Sequence, residues 1–326
     1  MPPLRARRRL TALGAAVALL LLGACSVVTA SGSAPPAALE LSTLRVGVLP
    51  IVDTAAVQRA QSAGYFAAEG LTVTLLPVLG GASAIPQLVA GELDLSWSSW
   101  TAVVLAQQQG LGRFRVLDAG YSAAPNSFQL VTHPGTGITT PRQLVGRVVA
   151  VNTFNSITEL MGRSALHDAG VDPAHVEFVE WPFPDMIEAL RTRQIDAAVL
   201  PEPFLTQAAA QLGAVSVLDA ASGRAADLPI AGLTATTEFA NRNPRTLAAF
   251  QRAVARAQSE MTDRAIVEET LAGYARIDLP TAARLNLGSW PTRVEPAQLQ
   301  RLVNLMQEFG MLTTRYDVEP LFAPTG

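Results

Sequence analysis

From Leu44 onward, short apolar strands alternate with segments of helical period, and the alternation runs twice before it gives way to helices. That order restricts the fold strongly. A strand followed by a crossover helix returns to the same end of its sheet, so alternation implies largely parallel α/β layers. LRVGVL (Leu44–Leu49), LTVTLLPV (Leu71–Val78), DLSW (Asp94–Trp97), RFRVLDAGY (Arg113–Tyr121) and FQLVTH (Phe128–His133) read as one set of strands. RVVAV (Arg147–Val151), VEFVE (Val176–Glu180), DAAVL (Asp196–Leu200) and AVSVLD (Ala214–Asp219) read as a second, and IAGLTAT (Ile230–Thr236) begins a further strand. Beyond Glu238 the pattern is helical, over Pro244–Met261, Arg264–Tyr274, Pro280–Leu287 and Pro296–Gly310. The first set has no closing element of its own, so the helical tail is expected to pack back on it. The predicted layout is a discontinuous lobe 1 (residues 40–133 plus 234–326) and an inserted lobe 2 (residues 134–233). Two crossover segments would join them and act as a hinge.

The N-terminus sets the expected compartment. Arg5, Arg7, Arg8 and Arg9 precede an uncharged apolar run from Ala12 to Ala24. A bilayer span needs about 20 apolar residues, so this run fits a signal peptide better than a membrane helix. Residues 1–24 are therefore read as a signal peptide. Leu22-Gly23-Ala24-Cys25 is similar to the lipobox of bacterial lipoproteins, whose Cys is acylated and becomes the first residue of the mature chain. Residues 25–39 then read as the lipidated Cys25 and a Ser/Ala/Pro-rich flexible tether. The expected location is extracytoplasmic, anchored to the outer face of the cell membrane or periplasmic. The Arg7-Arg8-Arg9-Leu10-Thr11 run fits either a general secretory or a twin-arginine exporter.

Charge and composition exclude several classes. The chain carries −3 overall, but its first 24 residues hold four Arg and no acid. The remainder has 20 Arg against 27 acidic residues, a net −7. That opposes nucleic-acid binding, which depends on neutralising phosphates, and favours a soluble monomer. All 24 basic residues are Arg, so Lys Schiff bases and P-loop lysines are excluded. The single Cys excludes intramolecular disulfides and Cys-built metal sites. His133, His167 and His175 have no metal-ligand spacing and read as surface residues. No cofactor and no metal are expected.

In open α/β sheets, ligands sit outside the carboxyl ends of the strands. Those positions carry Asp53 and Thr54; Trp97 and Ser98 with Ser99 and Trp100; Asn152 and Thr153 with Asn155 and Ser156; and Glu202. Tyr121 and Asn126 flank the end of another strand. Helix N-termini there offer free N–H groups and a partial positive charge. Each such residue also serves as a routine helix cap, and the tryptophans equally suit a core. The candidate ligand-binding set is Asp53, Thr54, Trp97, Ser98, Trp100, Tyr121, Asn126, Asn152, Asn155, Ser156 and Glu202. It contains two carboxylates and no Arg, which suits a zwitterion or an N–H-bearing heterocycle better than a bare anion. No nucleophile–base–orienter set is visible, so no catalytic residue is assigned.

GYFAAEGL (Gly64–Leu71), LVAGELDLSW (Leu88–Trp97), TTPRQLVGRVVAV (Thr139–Val151), WPFPDMIEAL (Trp181–Leu190) and IDAAVLPEPF (Ile195–Phe204) occur in an order that resembles the nitrate/sulfonate/taurine family of ABC-importer substrate-binding proteins. That family includes pyrimidine-precursor binders. The resemblance covers roughly residues 40–260. It implies the periplasmic-binding-protein type II fold, an α/β architecture of two lobes with a helical C-terminal tail. It also implies capture of a small polar organic ligand, sulfonate/taurine-like or pyrimidine-like, for delivery to an ABC permease without a catalytic step. Two alternatives stay open. One is an enzyme on the same fold acting on a pyrimidine or menaquinone precursor, from which the missing Cys-rich motif and the signal peptide detract. The other is a ligand-sensing lipoprotein.

Overall fold

The computed structural model describes residues 38–322. Residues 1–24, read above as a signal peptide, and Cys25 lie outside the described residues. Ten strands are defined within them: β1 (Thr43–Val48), β2 (Thr72–Pro77), β3 (Leu95–Ser99), β4 (Phe114–Ser122), β5 (Phe128–Thr132), β6 (Val148–Val151), β7 (Glu177–Glu180), β8 (Ala197–Pro201), β9 (Val215–Asp219) and β10 (Pro229–Thr236). They build two mixed sheets with helices between the strands. The first has the order β2-β1-β3-β10-β4 and the second β7-β6-β8-β5-β9. In the first, β1 is parallel to β2 and β3, while β10 runs antiparallel to β3 and β4. In the second, β6 is parallel to β7 and β8, while β5 runs antiparallel to β8 and β9. The central strands are covered on both faces, as their unbroken apolar runs require; every residue of β8 is buried.

Two placements differ from the pattern-based layout. β5 belongs to the second sheet, although Phe128–His133 reads as the last strand of the first set. β10 belongs to the first sheet from Pro229 on. The chain therefore passes between sheets over residues 123–127 and 220–228. His133-Pro134-Gly135 resembles a crossover because Pro and Gly punctuate chains locally. In the structure it forms a short turn inside the second half, with the His133 Nδ1 accepting from the Gly135 N–H at 3.0 Å. Apolar strand periodicity records burial but not which sheet does the burying.

The helical tail packs on the first sheet's helices, as expected. The helix Pro244–Glu260 buries Leu247, Phe250, Val254 and Ala257, one stripe at helical spacing. Phe250 stacks on Phe66 at 4.8 Å between ring centroids. The predicted helix over Pro280–Leu287 shortens to Leu279–Ala282. The residues after it instead form an extended brace. Ser122 and Ser289 exchange backbone hydrogen bonds of 2.9 and 3.1 Å, and the Gly288 N–H donates to the Tyr121 hydroxyl at 2.7 Å. Among the described residues, no helix is long and apolar enough to cross a membrane.

Candidate functional site

The carboxyl ends of β1, β2 and β3 face those of β6, β7 and β8. Between them lies a cavity of about 40 Å³ lined by Asp53, Gly80, Gly81, Trp97, Ser99, Asn152, Ser156 and Thr158, with an apolar wall that includes Leu49, Ile51, Phe128 and Phe183. Three helices begin at this cavity: Gly81–Val89, Trp100–Gln108 and Ile157–Asp168. Gly80 has no side chain with which to cap the first, and Ser99 does not cap the second. The third is capped by Ser156, whose hydroxyl accepts from the Glu159 N–H at 3.4 Å. Free N–H groups and helix dipoles therefore converge on one small space.

Asp53 is the cavity's charged group. It is 2% exposed, in the turn after β1, and burial pushes its carboxyl up to about 7. Its main-chain oxygen accepts from Trp290 Nε1 at 3.1 Å, which ties the turn to the tail brace. Trp97 lines the cavity at 1% exposure, and its Nε1–H is buried without an acceptor. Asn152 Oδ1 accepts from Thr158 Oγ1 at 2.8 Å. That leaves its Nδ2 beside Gly80, where an added Cβ would stand 3.0 Å away. Gly80 is thus a point of close approach between the two halves.

The candidate residues separate into groups. Asp53, Trp97, Asn152 and Ser156 come together around the cavity. Ser98 faces the other side of β3, where its hydroxyl donates to Ser96 at 3.2 Å. Thr54 is buried and donates to the Leu49 and Ile51 carbonyls. Glu202 is buried beside the cavity but occupied, its carboxylate accepting from Thr206 and Asn286. Burial raises its pKa against the lowering effect of those bonds. Trp100 and Tyr121 line a separate pocket near the two passages between sheets. Burial pushes the Tyr121 hydroxyl well above its usual value, reinforced by Asp53 nearby. Asn126 and Asn155 are exposed turn residues with φ of 66° and 57°. Asn tolerates that conformation better than most side chains, which accounts for both without a ligand.

Residues 52–264 match the family described as NMT1/THI5 like. The chain belongs to the NMT1/THI5-like family. Its fold is the periplasmic-binding-protein fold. The alkanesulfonate-binding protein of Xanthomonas axonopodis pv. citri superposes with a TM-score of 0.74 at 17% identity, covering 88% of this chain and 99% of that one. The periplasmic nitrate-binding protein of Synechocystis PCC 6803 gives 0.75 at 15% identity, over 86% and 85%. A Candida albicans gene product described as having the generic periplasmic binding protein fold gives 0.72 at 16% identity, over 87% and 97%. No curated protein sequence matches the chain.

In this NMT1/THI5-like chain, Ser99, Gly80, Gly81, Phe128 and Phe183 complete a cavity that strand-end reasoning only partly outlined. Ser99 was accessible to such reasoning: side chains alternate along a strand, so Trp97 and Ser99 share one face and Ser96 and Ser98 the other. Phe128 and Phe183 carry no local signal, because apolar residues near strand ends look like core. Among the described residues, no group of three or more His, Cys, Asp or Glu is placed to hold a metal ion.

Proposed function

We propose that this protein is the solute-binding lipoprotein of an ABC importer, anchored through Cys25 outside the cell membrane. In this reading the two sheets with their helices are two lobes hinged at residues 123–127 and 220–228. They close over a small polar organic molecule, sulfonate/taurine-like or pyrimidine-like, and present it to the permease without altering it. The carrying observation is the cavity itself, where three helices begin and Asp53 and Trp97 share one lining that contains no Arg. Helix N-termini hold the acceptor end of a solute, and Asp53 takes its N–H end. Family membership and the alkanesulfonate- and nitrate-binding neighbours support the same reading.

Thermal unfolding of the full-length protein with taurine, alkanesulfonates, nitrate, bicarbonate and aminopyrimidines tests it. A solute at about 1,000 times its Kd adds roughly 4 kcal/mol, a shift of several degrees. Stabilisation by one solute class is expected; a flat response across the panel removes the assignment of these ligand classes. For the anchor, the expected result is loss of membrane association in Cys25→Ser.

A further inference from the structure

The cavity is small for a whole organic solute. At about 40 Å³ it has room for a group of about three non-hydrogen atoms, since one water needs roughly 10–15 Å³ on this measure. A taurine or pyrimidine molecule exceeds that, so part of either would lie outside it.

A pocket of about 600 Å³ adjoins the cavity. Leu49, Ile51 and Phe183 line both spaces and form the wall between them. The outer space is mainly apolar, built from Val48, Leu75, Val78 and Leu79 on one side and Phe183 with Phe204 on the other. The two phenylalanines stack with centroids 5.6 Å apart and planes inclined by 21°. Arg276 is its charged lining residue and is exposed. A compact chamber carrying polar groups, walled off by three apolar side chains from an apolar aromatic one, matches an elongated solute, polar at one end, that moves those side chains aside.

The chemistry of the inner chamber selects that end. Trp97 Nε1–H is a buried donor lacking an acceptor, and the three helix N-termini add more donors. Asp53 supplies a carboxyl. A sulfonate or carboxylate would satisfy the donors but find no donor at Asp53 once that carboxyl is ionised. A neutral group that accepts at one atom and donates at the next meets both.

We infer that the solute carries a compact neutral amide head, O=C–N–H, in the inner cavity, and an apolar or aromatic body that displaces the Leu49–Ile51–Phe183 wall and lies against Phe204. This rests on the solute-binding reading above and narrows its substrate class. The amide oxygen accepts from Trp97 and the helix N-termini, and the amide N–H donates to Asp53.

Calorimetric titration of the full-length protein at pH 7 with acetamide, butanamide, hexanamide, benzamide, benzenesulfonate and taurine tests the inference. Affinity rises about fourfold for each methylene along the alkyl series. Benzamide binds at least tenfold tighter than both acetamide and benzenesulfonate. Phe204→Ala removes most of the benzamide-over-acetamide gain, while Trp97→Phe weakens all amides alike; unliganded melting temperatures check that both variants fold. Equal binding of acetamide and benzamide by the wild type, which requires no variant, overturns the apolar body. Tighter binding of benzenesulfonate or taurine overturns the neutral head and leaves solute capture standing. Silence from every compound, taurine included, overturns the inference and counts against the assigned ligand classes as well.

Discussion

The Asn286 main-chain N–H donates to the Glu202 carboxylate at 3.0 Å and so joins the C-terminal tail to the end of β8 in the other sheet. The same carboxylate accepts from the Thr206 N–H at 3.0 Å and its hydroxyl at 2.9 Å. The Glu202 carbonyl accepts from the Val52 N–H at 3.3 Å. One residue therefore ties three separate stretches of chain together from a buried position.

Glu202→Ala leaves the Thr206 and Asn286 amides without an acceptor. Thr206 is half-buried and Asn286 exposed, so water replaces part of each bond and the expected loss is about 1–2 kcal/mol. Urea unfolding should show a lower midpoint with an unchanged slope.

Asp53 makes stability depend on pH. Its folded pKa of about 7 lies above its ordinary value near 4, so the folded chain holds a proton that the unfolded chain has released between those pH values. Stability therefore falls as pH rises from about 4 to 7, then levels off, by roughly 4 kcal/mol in all. Glu202, also raised by burial, adds in the same direction. Asp53→Asn should flatten much of this slope and raise the melting temperature at pH 8, while weakening solute binding.

Gly288 admits no side chain. A Cβ there would lie 2.2 Å from the Ser122 carbonyl oxygen and 2.6 Å from the Tyr121 ring. Neither neighbour can yield cheaply, since one is backbone and the other is a fully buried ring. Gly288→Ala should cost about 2–3 kcal/mol by overpacking, measured as a lower denaturation midpoint.

Gly80→Val tests closure. Its backbone is extended, so the new side chain is not strained by conformation, but it would press on Asn152 and Thr153 across the cavity. Gly80 is buried and the added side chain overpacks this contact, so the free protein should lose about 1–3 kcal/mol. Affinity for whichever solute stabilises the wild type should fall at least tenfold in calorimetry.

Trp97→Phe keeps the apolar ring and deletes a buried donor that has no acceptor. The free protein should lose about 1–2 kcal/mol, from the smaller ring in a fully buried position, with no internal hydrogen bond broken. Solute affinity should drop by about tenfold, the usual worth of one hydrogen bond to a ligand.

Much of this was legible along the chain. Strand–helix alternation sufficed for an α/β architecture, and the first strand set's lack of a closing element marked the helical tail as a packing element. Asp53, Trp97, Asn152 and Ser156 were named from their positions at strand ends, and they do line one cavity. These signals are local: period and capping chemistry depend on neighbours a few residues away. The signal-peptide and lipobox readings rest on sequence alone.

Other features depended on chain-to-chain distance. β5 and β10 have the periodicity of any buried strand, and only hydrogen-bond pairing assigns them to their sheets. Trp97 and Trp100 stand three residues apart, yet the last residues of a strand and the first of a helix project differently, and the two rings line different pockets. Glu202 looks like a ligand contact until Asn286, 84 residues away, is found against it. Local residue type determined which side chains could bind or cap. Which of them were already satisfied, and which were left facing an open space, was decided by packing between distant segments.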